Sequence, residues 1–195
     1  VSIVYSPLNG AGLKPVLKAL RDDGYDNITV VKEQEQPDGD FPTCTYPNPE
    51  RKEAMELGIR YVRERGAELA LATDPDCDRV GAAVRDADGE YVLLSGNEIG
   101  VLLFDYICMH RSDSLVNGNG CADVCRPLLM KTIVSTDMAE RIAEHYGVHT
   151  VNVLTGFKYI GEQISLLEAE GKEDSFVFGF EESYGYLSGT HVRDK

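Results

Sequence analysis

The sequence predicts an α/β chain of two consecutive domains, each a mostly parallel or mixed sheet packed with helices. Three observations predict it. Short apolar, β-branched runs alternate with stretches whose apolar residues recur at helical spacing, and the alternation runs through both halves of the chain. A turn-rich junction between Leu94 and Asn97 separates the halves, which places the domains at residues 1–95 and 96–195. The 195 residues suffice for two domains of about 100 residues each. Hydrophobic residues at 43% and charged residues at 27% are the balance of a globular chain and exclude a disordered one.

In order, Val1 to Tyr5 reads as a strand, Asn9-Gly10-Ala11-Gly12 as a turn, and Leu13, Val16, Leu17 and Leu20 as one face of a helix that ends at Gly24. Ile28 to Val31 is the next strand. A polar, proline-containing connection follows from Glu33 to Pro49, the longest irregular segment. Asn48 with Pro49 reads as an N-cap and first-turn pair, opening a helix of about four turns whose stripe of Ala54, Met55, Ile59 and Val62 stops at Gly66. Leu69 to Ala72 enters an acidic loop, Val80 to Val84 leaves it, and Asp88-Gly89 turns the chain into Tyr91 to Leu94. In the second half, Asn97 and Glu98 open a helix through Tyr106, and Asn117 to Gly120 is a loop. Strands are expected at Thr132 to Val134, Val148 to Val153 and Phe176 to Phe178, with helices at Asp137 to Tyr146 and Phe157 to Glu170. Strands joined through helices imply largely parallel sheets, in which ligands collect beyond the carboxyl ends of the strands.

A formal charge of −14 repels nucleic acid and anionic membranes, so neither is an expected partner. No apolar run reaches the roughly 20 residues that span a bilayer. The five cysteines lack the spacing of a disulfide framework, which fits a reducing cytoplasm. Cys121 and Cys125 have no matching second ligand pair nearby and read as incidental. The chain opens in a strand without Met and ends at Lys195 where a loop continues, the expectation for an excised fragment of a longer protein.

The strongest chemical signal is Thr73-Asp74-Pro75-Asp76-Cys77-Asp78-Arg79, with carboxylates at alternate positions immediately after an apolar strand. Three like charges so close repel one another unless a cation lies between them, and an all-oxygen donor set suits magnesium or calcium. Arg79 and Arg85 stand where an EF-hand needs Gly and Glu, which excludes that loop. Arg79 can grip a phosphate that touches the cation. A haloacid-dehalogenase-type phosphatase, with an aspartate nucleophile, also places Asp-x-Asp after a strand and is the competing reading.

Asp74-Pro75-Asp76-Cys77-Asp78-Arg79 resembles the Asp-x-Asp-x-Asp-Arg metal loop of the α-D-phosphohexomutases. The resemblance implies Mg2+ held by Asp74, Asp76 and Asp78, with Arg79 at the phosphate or substrate. Gly179-Phe180-Glu181-Glu182-Ser183-Tyr184-Gly185 resembles the family's Gly-Glu-Glu-Ser-Gly sugar loop and assigns Glu181 and Ser183 to sugar hydroxyls, departing from it at Phe180 and Tyr184. Thr155-Gly156-Phe157-Lys158 is similar to the family's Gly-x-Lys segment; a lysine at a helix N-terminus is locally unfavourable, which favours an anionic partner. His191 is the nearest candidate for a phosphate or proton-transfer role, or else a surface histidine. Ser6 to Gly12 resembles the segment opening the family's second domain; it lacks a Walker lysine and the dinucleotide spacing, so its expected role is structural.

Together these imply the second and third of four domains. The family's phosphoserine lies in the first domain and its main phosphate loop in the fourth, and neither motif occurs here. The expected partners are a hexose phosphate and those missing domains. The expected full-length reaction interconverts hexose 1-phosphate and hexose 6-phosphate, with the fragment itself inactive. A non-catalytic sugar-phosphate-binding module is a third reading, and the sugar loop leaves glucose, mannose and pentose phosphates open.

Overall fold

In a computed structural model of the chain, residues 1–116 and 126–195 are described. The Asn117 to Gly120 loop and the Cys121 and Cys125 pair lie outside the described residues. The chain divides into two compact units, Val1–Ser95 and Gly96–Lys195.

The first unit runs β1 (Ile3–Ser6), α1 (Leu13–Asp22), β2 (Ile28–Val30), a 3-10 turn (Lys32–Gln34), α2 (Lys52–Arg65), β3 (Leu69–Thr73), β4 (Val80–Arg85) and β5 (Tyr91–Leu93). Its sheet has the order β2-β1-β3-β4-β5. β1 pairs parallel with β2 and β3, whereas β3, β4 and β5 are antiparallel. The sheet is mixed because the acidic loop turns β3 directly back as β4, with no crossover helix between them. Val4, Leu8, Met55, Val62 and Ala70 form the core on which α2 lies. That helix begins at Lys52 instead of Pro49. Asn48 caps a separate turn: its Oδ1 accepts the Glu50 N–H at 2.9 Å and its carbonyl the Arg51 N–H at 2.9 Å. The helix stops at Gly66, whose φ of 63° is the left-handed conformation of a C-terminal glycine.

The second unit runs α3 (Gly96–Val116), β6 (Leu128–Thr132), α4 (Met138–Tyr146), β7 (His149–Val153), α5 (Phe157–Ala169), a 3-10 turn (Glu173–Ser175), β8 (Phe176–Glu181) and β9 (Gly185–Leu187). The order is β7-β6-β8-β9, parallel except for the β8–β9 hairpin. One cluster packs Phe104, Leu129, Ala143, Phe178 and Phe180; a second packs Met130, Ile160, Ile164 and Phe176. The strand expected at Thr132 to Val134 begins four residues earlier, at Leu128, and ends at Thr132. As the sheet's inner strand, β6 needs a run buried from both sides, which Leu128 to Thr132 supplies, while Ile133 and Val134 are exposed beyond its end. β8 extends through Glu181, and β9, too short to show a period, returns beside it.

Candidate active-site loops

The acidic loop is the connection of the β3–β4 hairpin, closed where Thr73 pairs with Val80. Asp74 is 8% exposed and organises the turn: its Oδ1 accepts the N–H of Asp78 at 3.1 Å and of Arg79 at 3.0 Å, and its carbonyl accepts the Cys77 N–H at 3.0 Å. Cys77 takes φ 65°, a left-handed conformation that non-glycine residues rarely adopt. The turn is thereby tight enough that carboxylate oxygens of Asp74, Asp76 and Asp78 lie within 4.8 Å of one another. Burial, reinforced by the charges of Asp78 and Asp76, pushes the Asp74 carboxyl up to about 7 against the lowering effect of the Arg79 N–H.

Three hard oxygen donors on one loop fit magnesium chemically. The three donor atoms lie within 4.8 Å of one another, and hard oxygen donors are the ligands that magnesium takes. Arg79 flanks the cluster, with Nε 3.6 Å from Asp74 Oδ2 and 3.7 Å from Asp78 Oδ1, while Nη1 donates to Glu50 Oε1 at 3.1 Å.

The glycine turn after β1 lies beneath this loop. The Ala11 N–H donates to the Pro75 carbonyl at 2.8 Å, and a Cβ on Gly10 would stand 2.3 Å from Pro75 Cα. A Cβ on Gly12 would fall 2.5 Å from Thr73 Oγ1 and 2.6 Å from the Tyr5 hydroxyl, two groups that share a 2.8 Å hydrogen bond. Contact this close, with backbone at Gly10 and with side chains at Gly12, needs glycine at both positions.

In the second unit Glu181 is the last residue of β8 and is 4% exposed. Its Oε1 accepts the Gly156 N–H at 2.8 Å, while Oε2 faces Lys195 Nζ at 3.2 Å and the Ser183 hydroxyl at 3.4 Å. Glu182 turns elsewhere: its Oε2 accepts the hydroxyls of Thr132 at 2.9 Å and Ser135 at 3.2 Å. The structure thus brings together Glu181, Ser183 and the loop preceding α5. Lys158 stands in the first turn of α5, exposed, with Nζ 4.9 Å from the Tyr159 ring centroid. His191 is exposed in the terminal segment, folded toward Gly189, and no described contact joins it to Glu181. Lys195, read from the sequence only as the end of a loop, is the cation at Glu181; its stem crosses Gly185, where a Cβ would meet Cδ at 2.1 Å. The sequence signal for it was slight: a charged Arg-Asp-Lys run 14 positions from its partner.

The class defined by this fold and these loops is a tandem pair of mixed-sheet α/β domains, one bearing a three-aspartate hairpin and the next a Glu-x-Ser hairpin. The chain belongs to the phosphoglucomutase/phosphomannomutase family: residues 1–89 match its alpha/beta/alpha domain II and residues 95–195 its alpha/beta/alpha domain III. It is 35% identical over 195 residues to a phosphoglucomutase of Staphylococcus epidermidis and 37% identical over 196 residues to a probable phosphomannomutase of Haemophilus influenzae. All of the chain is covered in both cases, but it spans only 33% and 36% of the lengths of those relatives. Among solved structures, a phosphoglucomutase/phosphomannomutase family protein from Burkholderia thailandensis superposes with a TM-score of 0.68 at 17% identity, over 100% of this chain and 36% of its own. An Aspergillus fumigatus N-acetylphosphoglucosamine mutase, in complex with GlcNAc-6P and magnesium, gives 0.58 at 20% identity over 95% and 35%. At these identities the structural likeness carries the fold.

Proposed function

We propose that the full-length protein is a magnesium-dependent phosphohexomutase that interconverts hexose 1-phosphate and hexose 6-phosphate through a phosphoserine and a sugar bisphosphate. In that scheme the serine phosphoryl passes to a free sugar hydroxyl, the bisphosphate reorients, and the other phosphoryl returns to the serine, leaving the enzyme unchanged. The observation that carries the reading is the convergence of Asp74, Asp76 and Asp78 on one tight hairpin beside Arg79. Asp74, Asp76 and Asp78 would hold the magnesium. The bound cation supplies charge neutralisation for the transferring phosphoryl group. Arg79 offers a planar donor face to phosphate oxygens. Lys158, exposed on the first turn of α5, is assigned to substrate phosphate; Glu181 and Ser183 are assigned to sugar hydroxyls, a carboxylate accepting from two of them while the hydroxyl donates or accepts. Lys195 holds the Glu181 carboxylate in place. His191 is retained as a phosphate or proton-transfer candidate on sequence position alone.

The backbone bonds to Asp74 and its burial count against the aspartate-nucleophile phosphatase reading, which needs an accessible ionised carboxylate in line with phosphorus. The test is a coupled assay of glucose 1-phosphate conversion to glucose 6-phosphate, with magnesium and the sugar bisphosphate present. Turnover is expected from the full-length protein and none from residues 1–195. Phosphate release by residues 1–195 alone, lost on Asp74→Asn, would establish the phosphatase instead.

A further inference from the structure

We infer that Glu50 is a positioning residue for the acidic loop: it holds the Arg79 guanidinium off the aspartates and so keeps the cation site open. This rests on the cation-binding reading of the three aspartates. Arg79 is drawn two ways. Its Nη1 donates to Glu50 Oε1 at 3.1 Å, while its Nε, a buried donor without a hydrogen-bond acceptor among the described residues, hangs 3.6 Å from Asp74 Oδ2 and 3.7 Å from Asp78 Oδ1. A shift of about half an ångström would bring the single Nε–H into charge-assisted hydrogen-bond distance of one of these carboxylates and tighten the ion pair with the other. The guanidinium would then neutralise the carboxylates in place of a divalent cation.

The backbone that carries Glu50 is held in place opposite Arg79. The Asn48 turn sets its backbone through the 2.9 Å bond from the Glu50 N–H to Asn48 Oδ1. Pro49 is buried against Gly81, two residues beyond Arg79 on β4; a Cβ on Gly81 would lie 2.7 Å from Pro49 Cβ and 2.9 Å from its carbonyl oxygen. The Pro47 to Glu50 segment, otherwise part of a long irregular connection, is thus clamped to β4, the strand that begins one residue after the arginine. Glu50 and Arg79 are each one-third exposed, which leaves the remaining guanidinium N–H groups available to an anionic ligand.

The experiment is a double-mutant cycle on magnesium affinity, measured by calorimetry on the full-length protein with wild type, Glu50→Ala, Arg79→Met and the double variant. Glu50→Ala is expected to weaken magnesium binding roughly tenfold, the scale of one coupled charge pair, with no further loss when added to Arg79→Met. Glu50→Asp should recover part of the affinity, and circular dichroism should confirm that each variant is folded. An equal loss in the Arg79→Met background would show a simple charge effect and overturn the inference, as would unchanged affinity in Glu50→Ala. If wild type binds no magnesium, the cation-site reading itself fails.

Discussion

The acidic hairpin and the Glu181 hairpin both project carboxylates from the carboxyl end of a strand, yet they solve opposite electrostatic problems. On the first, three carboxylates share one turn, and the arginine beside them makes its hydrogen bond to Glu50 instead. On the second, each carboxylate already has its donors: Gly156, Ser183 and Lys195 for Glu181, Thr132 and Ser135 for Glu182. On the proposed reading a cation offsets the like charges of the first. The second is preorganised by the protein, so its geometry is set before a ligand arrives. Stability and function should therefore trade differently in the two places.

The sharpest contrast comes from neutralising one carboxylate in each hairpin. In the full-length protein, Asp76→Asn should lower magnesium-dependent turnover roughly 10³-fold, corresponding to the several kcal/mol a cation supplies to phosphoryl transfer. The same change should raise the melting temperature in the absence of magnesium, because it relieves repulsion at an exposed position. Glu181→Gln should cost less activity, roughly 10²-fold. It should lower the melting temperature by the equivalent of about 1 to 3 kcal/mol, because Lys195, itself nearly buried, loses its charged partner. Thermal scans and steady-state kinetics on both variants check the pair, and melting shifts of the same sign would break the comparison.

Gly10→Ala probes the support under the acidic hairpin. The added methyl would meet Pro75 backbone at 2.3 Å, so the loop must move, at a cost of about 1 to 3 kcal/mol. Magnesium affinity should fall with stability in this variant. In the second unit Gly147→Ala, where a Cβ meets nothing within 4 Å, should leave magnesium affinity unchanged despite the strain at its φ of 69°. Calorimetry on both proteins separates loop displacement from general destabilisation.

How far these hairpins could be read in advance differed for a physical reason. Alternating aspartates after an apolar strand are a local pattern, visible because the donors lie within five positions of one another. The supports are non-local. Gly10 and Gly12 meet Pro75, Thr73 and Cys77 more than sixty positions away, and Glu50 reaches Arg79 across 29. Pro49, which reads locally as a helix start, is claimed by packing against Gly81, and this delays α2 to Lys52. The same limit hid β9: three residues cannot display a two-residue period, and only their pairing with β8 defines them. The displacement of β6 has a related cause, since the β-branched Ile133 and Val134 carry strand propensity while Leu128 to Thr132 occupy the place between two neighbouring strands.

The smallest effect should be a proton coupled to cation binding at the acidic hairpin. With no cation present, burial and the neighbouring aspartates raise Asp74 from 3.8 to about 7. A carboxyl raised in this way takes up a proton on folding between those values. Its contribution to stability is fully present below about 4 and is lost as pH rises through about 7. Magnesium needs the ionised carboxylate, so binding below about pH 7 must expel the proton, whereas binding above it need not. Apparent magnesium affinity should rise at most about tenfold per pH unit on the acid side and flatten above pH 7. Calorimetry in two buffers of different ionisation enthalpy reads the proton directly: close to one released per magnesium near pH 6 and close to none near pH 8. The Asp74→Asn variant should release none at either pH. Release of no proton at pH 6 by the wild type would mean that Asp74 is already ionised there, and the contrast between the acidic hairpin and the Glu181 hairpin would lose its electrostatic basis.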